Sequence, residues 1–357
     1  MNGTLKISSR VHDYEVHFQQ DLGFLDALAA LPNAVLVADR KVRDLYRAEI
    51  DPRFAAERCF LLDATEDGKT LEGAQQVYDF ACSRPAKKNL RLVALGGGII
   101  QDVAGFAAST LYRGVEWHYV PTTLLAQADS CIGGKTSLNF RGFKNLLGTF
   151  YPPRQVHIHT GFLQTLEPRD FASGLGEVIK LQLMKEDGQD LGALPGRLRA
   201  AKSDPVVLLQ LIRESLAVKV GYMEGDEFDQ GRRNLLNFGH CFGHALETAS
   251  DYHLPHGIAV DIGMVFAVDL ALRRGRLSPE LAARLKTDVL LPNIPAELRR
   301  QDFDAGRLLA AMKSDKKKTG AHLVVVLPDD GLKFAKLDDV TDEEFHQALA
   351  GLMRELF

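Results

Sequence analysis

The first 150 residues alternate short apolar runs with amphipathic stretches. The runs at residues 33–39 (NAVLVAD) and 90–95 (LRLVAL) are apolar almost throughout, which is typical of buried strands. Between them, residues 71–83 carry the periodicity of a helix, and residues 115–125 (VEWHYVPTTLL) predict one more strand that stops at Pro121. Strand, helix and strand in this order predict a parallel sheet with helical crossovers.

Helical periodicity replaces this alternation after about Tyr151. It dominates residues 171–285, and an apolar strand pattern returns only at residues 322–328 (HLVVVLP). We therefore predict an α/β domain with a parallel sheet over residues 1–155 and a mostly α-helical domain over residues 156–357. The cleft between two such domains is the usual place for a ligand.

Composition narrows the class of protein. The chain has 357 residues and is 46% hydrophobic, which is sufficient for two domains with full hydrophobic cores. Its four cysteines show no CxxC spacing, and no charged-then-apolar leader precedes Leu5, which together favour a reducing, cytoplasmic compartment. No apolar run approaches the roughly 20 residues of a membrane-spanning helix, and a formal net charge of -4 gives no general attraction for nucleic acid. We expect neither a membrane nor a nucleic acid as partner.

A glycine run, Gly96–Gly98, follows the strand at residues 90–95 and precedes a helix-like stretch. Glycines at such a turn let the backbone approach a pyrophosphate, whose charge the N–H groups at the start of the helix accept. Asp39 ends an earlier strand, where a carboxylate binds ribose hydroxyls, and Thr122 and Thr123 follow a third strand. Three strand ends at one edge predict a dinucleotide site, whereas the glycine run alone would fit any tight turn.

Two histidines of the segment GHCFGH, His240 and His244, lie one turn apart on a predicted helix, and His256 follows on another helix-like segment. Glu177, in GLGEVIK, is the best candidate for a carboxylate ligand, with Lys180 one turn on. Small residues beside both helical histidines leave space around the imidazoles. This spacing predicts a divalent metal site for zinc, cobalt or iron. It leaves open whether both helical histidines bind the metal or one of them transfers protons.

Basic residues cluster next to the glycine turns and the candidate metal helix, although the chain is slightly acidic overall. They are Arg113, Lys135, Lys144, Lys180, Lys219, Arg233 and the run Lys316-Lys317-Lys318. Their contexts YRG, GGKT and FKN indicate an anionic substrate that carries phosphate and carboxylate groups. Asp129 and Asn145 are candidates to position hydroxyl groups.

Five segments together resemble one family: GGGIIQDVAGFAASTLYRG, VPTTLLAQADSCIGGKT, FKNLLGTFYPP, GLGEVIK and NLLNFGHCFGHALE. From about residue 35 to residue 328 the chain is similar to 3-dehydroquinate synthases and the wider sugar phosphate cyclases. The resemblance implies a Rossmann-like, dinucleotide-binding N-terminal domain and a helical, metal-binding C-terminal domain. It also implies tightly bound NAD, one zinc ion with cobalt as an alternative, and a homodimer.

The same resemblance assigns roles to individual residues. It implies that Glu177, His240 and His256 bind zinc, and that His244 is the catalytic partner. The positions that contact substrate would be Asp129, Lys135, Asn145, Lys180, Lys219, Arg233 and Asn237, with Arg113 reaching in from the partner subunit's site. The positions that contact NAD would be Asp39, Glu66, Lys69, Gly97, Gly98, Asp102, Thr122, Thr123 and Lys144.

The implied reaction cyclises 3-deoxy-D-arabino-heptulosonate 7-phosphate to 3-dehydroquinate with loss of inorganic phosphate, a step of the shikimate pathway to aromatic amino acids. The C5 hydroxyl group is first oxidised at the expense of NAD+, which acidifies the C6 proton. Phosphate is then eliminated, the hydride returns to C5, and ring opening with an intramolecular aldol reaction closes the carbocycle. Lys135 with Asn145 would hold the phosphate. Lys219 with Arg233 would hold the carboxylate.

The chain departs from the family pattern at Ile258. Dehydroquinate synthases commonly have HGE after the metal helix, whereas this chain has HGI, which removes a carboxylate near a ligand. Sedoheptulose 7-phosphate cyclases are expected to lose carboxylate-binding lysines and to alter the second helical histidine, but this chain keeps Lys219, Asn237 and His244. The 2-deoxy-scyllo-inosose synthases tend to carry Glu in place of Asn237. Aminodehydroquinate synthase remains an alternative, because its substrate differs away from these motifs.

Two further classes share some of these features. NAD-dependent metal alcohol dehydrogenases have the same architecture and release NADH as a product, but a small-alcohol enzyme does not need the phosphate-binding GGKT and KN segments. A non-catalytic, NAD-binding regulatory protein would be expected to have lost ligands, and the sequence retains each of them.

Overall fold

The structure is a computed structural model, and it describes residues 3–85, 87–186, 190–295, 297–314 and 322–357. The chain divides into two compact units, Met1–Leu166 and Glu167–Phe357. Our predicted boundary, after residue 155, falls before the end of the first unit. The run Lys316–Lys318 lies outside the described residues, so its role stays a prediction.

The first unit is an α/β structure. Its strands are β1 (Gly3–Ile7), β2 (Tyr14–Phe18), β3 (Ala34–Asp39), β4 (Cys59–Leu62), β5 (Arg91–Gly96), β6 (Glu116–Pro121), β7 (Lys135–Phe140), β8 (Phe143–Phe150) and β9 (Gln155–Ile158). Its helices are α1 (Phe24–Ala29), α2 (Arg40–Leu45), α3 (Arg47–Ile50), α4 (Leu71–Cys82) and α5 (Gly98–Thr110).

A seven-stranded sheet runs through this unit in the order β1-β2-β9-β6-β5-β3-β4. All neighbours are parallel except β1 and β2. The three apolar runs of the sequence become the adjacent strands β3, β5 and β6, and residues such as Leu36, Val93 and Val120 are fully buried because the sheet is covered on both faces. The predicted parallel, Rossmann-like sheet is confirmed.

Several strands carry too weak a pattern to be predicted. β7 and β8 form a separate antiparallel hairpin, and most of their residues are partly or fully exposed, so no apolar run marks them. β9 is four residues long and pairs with β2 and β6. Because Phe162 then packs into the core of the sheet, the first unit extends beyond residue 155.

The second unit is mostly helical. Its helices are α6 (Pro168–Leu183), α7 (Leu194–Ala200), α8 (Pro205–Met223), α9 (His240–Ala249), α10 (His256–Arg273), α11 (Pro279–Arg284), α12 (Ala305–Lys313) and α13 (Asp342–Leu356). A hairpin of β10 (Leu323–Pro328) and β11 (Phe334–Val340) completes it, and only its first strand was predicted. α10 is buried on all sides from Gly257 to Ala271, as expected of a central helix. None of the described helices is long and apolar enough to cross a membrane.

Candidate active site

The three strand ends singled out in the sequence lie next to one another in the first unit. Asp39, Gly96 and Pro121 end the adjacent parallel strands β3, β5 and β6. The amide of Thr122 donates to the carbonyl of Gly96 at 3.0 Å, which fixes the start of the third loop against the first glycine. α5 starts directly after β5, so the N-terminus of a 13-residue helix lies at this edge of the sheet. Such an end attracts an anion through its free amides and its dipole.

The two glycines before and at the start of α5 differ in the space around them. A Cβ atom built on Gly97 would lie 2.8 Å from Cγ2 of Thr123, and no described atom lies within 4 Å of a Cβ built on Gly98. A side chain would therefore disturb Thr123 or fill open space at the helix start. Asp39 caps α2 by accepting from the amide of Lys41 at 2.9 Å, and burial raises the pKa of its carboxyl group.

A polar network joins α5 to the β7–β8 hairpin. The ammonium of Lys69 lies 2.5 Å from Oδ2 of Asp102 and donates to Oδ1 of Asn145 at 2.6 Å. Oδ1 of Asp102 accepts from the amide of Ser137 at 2.9 Å. Burial raises the pKa of Asp102, while Lys69 and Ser137 oppose that rise. The structure thus links the cofactor candidate Asp102, through Lys69, to Asn145, which the resemblance places at the substrate.

Two residues of this network were missed in the sequence. Asn139 donates to Oε1 of Glu66 at 2.8 Å and accepts from the amide of Asn145 at 3.0 Å, while Oγ of Ser137 donates to Oδ1 of Asn145 at 2.8 Å. Lys144 lies 3.8 Å from the same Glu66 oxygen. The one available signal was two polar residues at alternate positions after GGKT, and their importance depends on a hairpin that was not predicted.

Three other candidates of the first unit lie on irregular backbone. Lys135 is the exposed first residue of β7, directly after Gly134 with its left-handed φ of 65°. Asp129 lies in a short π-helical turn, Ala126–Ser130. Arg113 has a φ of 63° and stands between two further left-handed residues, so its position is held by an uncommon backbone conformation.

Glycines bring the metal-binding candidates of the second unit together. A Cβ atom on Gly257 would lie 1.7 Å from the carbonyl oxygen of Ser173, and one on Gly176 would lie 2.3 Å from the carbonyl oxygen of Gly257. The backbones of α6 and α10 are therefore in direct contact, which no larger residue would permit. This contact places Glu177, the residue after Gly176, beside His256 at the start of α10.

Four side chains converge at this contact. The ligand atoms of His240, His244 and His256 all lie within 4.8 Å of one another. Oε1 of Glu177 lies 3.4 Å from Nε2 of His240 and 3.4 Å from Nε2 of His256. A tetrahedral ion with bonds of about 2.1 Å separates its ligand atoms by about 3.4 Å, which matches the distance from the carboxylate oxygen to each of these two imidazoles.

The other nitrogen of each imidazole is held by the protein. Nδ1 of His240 lies 3.1 Å from the carbonyl oxygen of Phe238, and Nδ1 of His256 lies 3.0 Å from Oε2 of Glu247. A carbonyl and a carboxylate accept from Nδ1–H, which leaves the Nε2 lone pair of both rings for a metal. Glu247 was missed in the sequence, although it stands in the quoted GHALE segment, because its partner lies on a different helix.

Glu177 divides its two oxygens between neighbours. The side chain is 1% exposed, and Oε2 lies 2.5 Å from the ammonium of Lys180, whereas Oε1 faces the two histidines. Burial and the charge of Lys180 lower the pKa of His240 well below its usual range. Burial also opposes charge on His256, but Glu247 and Glu177 raise its pKa to about 10. A metal at this site would have to displace that proton.

His244 differs from the other two histidines in exposure. Its ring centroid lies 5.3 Å from that of His240 and 5.6 Å from that of His256, yet it is exposed while they are partly buried. His240 is the more enclosed of these two, since its side chain is 13% exposed and that of His256 is 32% exposed. The exposed position of His244 is compatible with proton exchange, the role that the resemblance implies.

The remaining candidates of the second unit are polar groups in buried positions. Lys180, Lys219 and Arg233 are each less than a tenth exposed. The amide of Arg233 donates to Asp226 at 2.8 Å, and its guanidinium donates to the carbonyl oxygen of Glu227. Nδ2 of Asn237 donates to the carbonyl oxygen of Asn234 at 2.7 Å.

Comparison with known proteins matches both units to one family. Residues 59–173 match the family model of the 3-dehydroquinate synthase N-terminal domain, and residues 174–318 match that of the C-terminal domain. The chain belongs to the 3-dehydroquinate synthase family. A 3-dehydroquinate synthase of Streptococcus equi is 35% identical over 339 residues, which cover 92% of each chain. One from Dehalococcoides mccartyi is 41% identical over 276 residues, 76% of this chain and 75% of its own.

A solved structure of the wider group has the same fold. The 2-epi-5-epi-valiolone synthase ValA of Streptomyces hygroscopicus, with NAD+ and Zn2+ bound, is 30% identical and covers 98% of both chains with a TM-score of 0.84. The predicted combination of a Rossmann-like sheet with a helical domain is thereby confirmed for this member of the 3-dehydroquinate synthase family.

Proposed function

We propose that this protein cyclises 3-deoxy-D-arabino-heptulosonate 7-phosphate to 3-dehydroquinate with loss of phosphate, using NAD and a divalent metal. The observation that carries the proposal is the convergence of Glu177 with His240 and His256, each imidazole 3.4 Å from the carboxylate oxygen, in a member of this family. The carboxylate-bound Lys180 beside that cluster supplies a cation for an anionic substrate.

The first unit would hold the dinucleotide. The amides at the start of α5, freed by Gly97 and Gly98, bind the pyrophosphate, and Asp39 accepts hydrogen bonds from ribose hydroxyls. Thr122 and Thr123 follow at the next strand end, while Glu66, Lys69, Asp102 and Lys144 belong to the adjoining polar network. When bound, NAD supplies reversible acceptance of one hydride.

The second unit would hold the metal through Glu177, His240 and His256. Two imidazole nitrogens and one carboxylate oxygen are ligands that favour zinc, and cobalt suits the same ligands. The cation, when bound, polarises substrate hydroxyl groups and stabilises negative charge on oxygen. Phe238 and Glu247 fix the imidazole tautomers that this requires.

The remaining candidates would orient the substrate. His244, which is exposed beside the metal ligands, exchanges the proton, because imidazole is the side chain that most often acts as a general acid or base. Lys219 and Arg233 bind the carboxylate of the substrate, and Lys135 and Asn145 bind its phosphate. The other substrate contacts that we propose are Asp129, Lys180 and Asn237. Arg113 would complete the site of a partner subunit in a homodimer, and the cytoplasm is the expected compartment.

Phosphate release tests the proposed reaction. Purified protein with NAD+ and Zn2+ or Co2+ should release phosphate from 3-deoxy-D-arabino-heptulosonate 7-phosphate without net formation of NADH. Steady NADH production would contradict the proposal and favour a dehydrogenase. His244→Ala should keep bound zinc and lose turnover. Loss of zinc in this variant would instead show that His244 is a metal ligand and that one of the three proposed ligands is not. Cys241→Ala, a neighbouring change on α9, serves as the control and should keep both.

A different sugar phosphate cyclase is the second candidate. The similarity to ValA over 98% of the chain and the isoleucine at position 258 favour it. Parallel assays with sedoheptulose 7-phosphate and the heptulosonate phosphate distinguish the two. Greater turnover of the sugar without a carboxylate would refute the roles proposed for Lys219 and Arg233. Aminodehydroquinate formation requires the nitrogen-bearing substrate in the same assay.

A further inference from the structure

A buried acid, Asp261, lies on α10 five residues after His256 and has no exposed surface. Neither the family resemblance nor the spacing of the metal cluster gives it a role. An acid that is removed from water costs free energy unless its oxygens find hydrogen-bond donors. The partners of Asp261 therefore indicate what it does.

Asn293 is the partner. Its Nδ2 donates to Oδ2 of Asp261 at 2.5 Å and to the carbonyl oxygen of Ala172 at 2.9 Å. Ala172 lies on α6, five residues before Glu177, while Asp261 lies on α10, five residues after His256. One side-chain amide thus ties together the two helices that carry Glu177 and His256.

Asp261 also touches α6 directly beside Glu177. A Cβ atom built on Gly176 would lie 3.2 Å from Oδ2 of Asp261, which is closer than an ordinary van der Waals contact. The carboxyl group therefore fills the space that glycine leaves, and any displacement of it acts on the backbone next to Glu177.

Asp261 and Asn293 are chemically complementary when the acid is neutral. Burial raises the pKa of Asp261 well above its usual range, and the charge of Glu177 adds to that rise. A neutral carboxylic acid offers one donor and one acceptor, as a side-chain amide does. Oδ1 of Asp261 and Oδ1 of Asn293 have no hydrogen-bond partner among the described atoms.

We propose that Asp261 and Asn293 form a positioning pair that fixes α6 against α10 and so holds Glu177 at bonding distance from the metal. This inference rests on the metal site of the proposed function. Metal–ligand distances tolerate only about ±0.2 Å, so a small shift of α6 lowers metal affinity without unfolding the unit. Asp261 also lies one turn after Ile258 on α10. Position 258 is the one at which the family commonly has the glutamate of HGE.

Metal affinity tests the pair independently of turnover. Zn2+ dissociation constants are measured by competition with a chelator, and the visible absorption of the Co2+ form reports ligand geometry, for the wild type, Asp261→Asn and Asp261→Leu. Asparagine keeps one donor and one acceptor, so its dissociation constant should stay within about threefold of wild type. Leucine has a similar volume and neither group. We expect its dissociation constant to rise about 10–100-fold, with an altered Co2+ spectrum.

Asp269→Leu is the matched control, because Asp269 is a buried acid on the same helix that pairs with Arg273 at 2.6 Å. It should lower the melting temperature and leave metal affinity within about twofold of wild type. Three outcomes would each overturn the pair. Asp261→Leu could bind metal as tightly as wild type, or Asp261→Leu and Asp269→Leu could weaken metal binding equally. The third is an Asp261→Asn variant that binds metal as weakly as Asp261→Leu. If Asp261→Leu does not fold, Asn293→Leu replaces it with the same expected loss. A wild-type protein that takes up no metal would overturn the metal site and the pair together.

Discussion

Gly257→Ala should abolish metal binding although it adds only a methyl group. That methyl carbon would lie 1.7 Å from the carbonyl oxygen of Ser173, and real Cβ atoms essentially never approach closer than 3.0 Å. α6 and α10 would therefore separate by at least about 1.3 Å, several times the roughly ±0.2 Å that metal–ligand distances tolerate. Glu177 travels with α6, and His256 travels with α10. Overpacking of this kind also costs about 1–3 kcal/mol of stability.

Metal content and thermal unfolding measure the effect. The variant is dialysed with Zn2+, freed of excess by gel filtration and analysed for metal per chain, while circular dichroism confirms that it is folded. Two alanine substitutions control for the added methyl group. Gly196 lies on α7, and no described atom lies within 4 Å of a new Cβ there. Gly196→Ala should therefore stabilise the protein by about 0.4–1 kcal/mol. At Gly105 a new Cβ would meet Thr136 at 2.7 Å, which destabilises the first unit and leaves metal binding intact.

One outcome would refute the reasoning. If Gly257→Ala binds one zinc per chain with wild-type affinity, the contact between α6 and α10 does not position Glu177. If Gly105→Ala loses zinc equally, general destabilisation explains the result and the contact has no special role.

Three further predictions concern stability and the cofactor. Burial, His17 and His118 lower the pKa of His157 to about 3, so the unfolded chain binds the proton first as pH falls. His157 alone should therefore lower stability by about 2 kcal/mol between pH 7.5 and 5, measured in urea unfolding as the difference between wild type and His157→Phe. Asp102→Asn leaves Lys69 without its carboxylate, which should cost about 3 kcal/mol and weaken NAD+ binding in calorimetry. Thr341→Ala removes the capping box of α13 and should cost about 1 kcal/mol in urea unfolding, whereas Thr341→Ser should not.

The sequence predicted those features that short-range patterns determine. The buried strands β3, β5 and β6 are apolar runs, and the metal-binding candidates stand on helices whose spacing places His240 and His244 on one face. The parts that it missed depend on contacts between distant segments. The β7–β8 hairpin is half exposed and carries no regular alternation, so Ser137 and Asn139 could not be related to Lys69 or Asp102.

The same limit applies around the metal candidates. The chain shows that Glu247 and Asp261 are acidic, but only the folded helices show that one meets Nδ1 of His256 and the other meets Asn293. Spacing also left two roles open for the pair His240 and His244. The structure separates them by exposure, and the variant at His244 tests that separation.

The carboxylate of Glu177 links the binding of the metal to the binding of a substrate anion. One oxygen faces the histidines and the other is ion-paired with Lys180, so the charge felt at the metal depends on where that ammonium lies. A substrate anion that draws Lys180 towards itself leaves more negative charge for the cation. By thermodynamic reciprocity, the factor by which such an anion strengthens metal binding is also the factor by which the metal strengthens binding of the anion. Order of addition would then leave the final complex unchanged, while each ligand on its own binds more weakly than the two together.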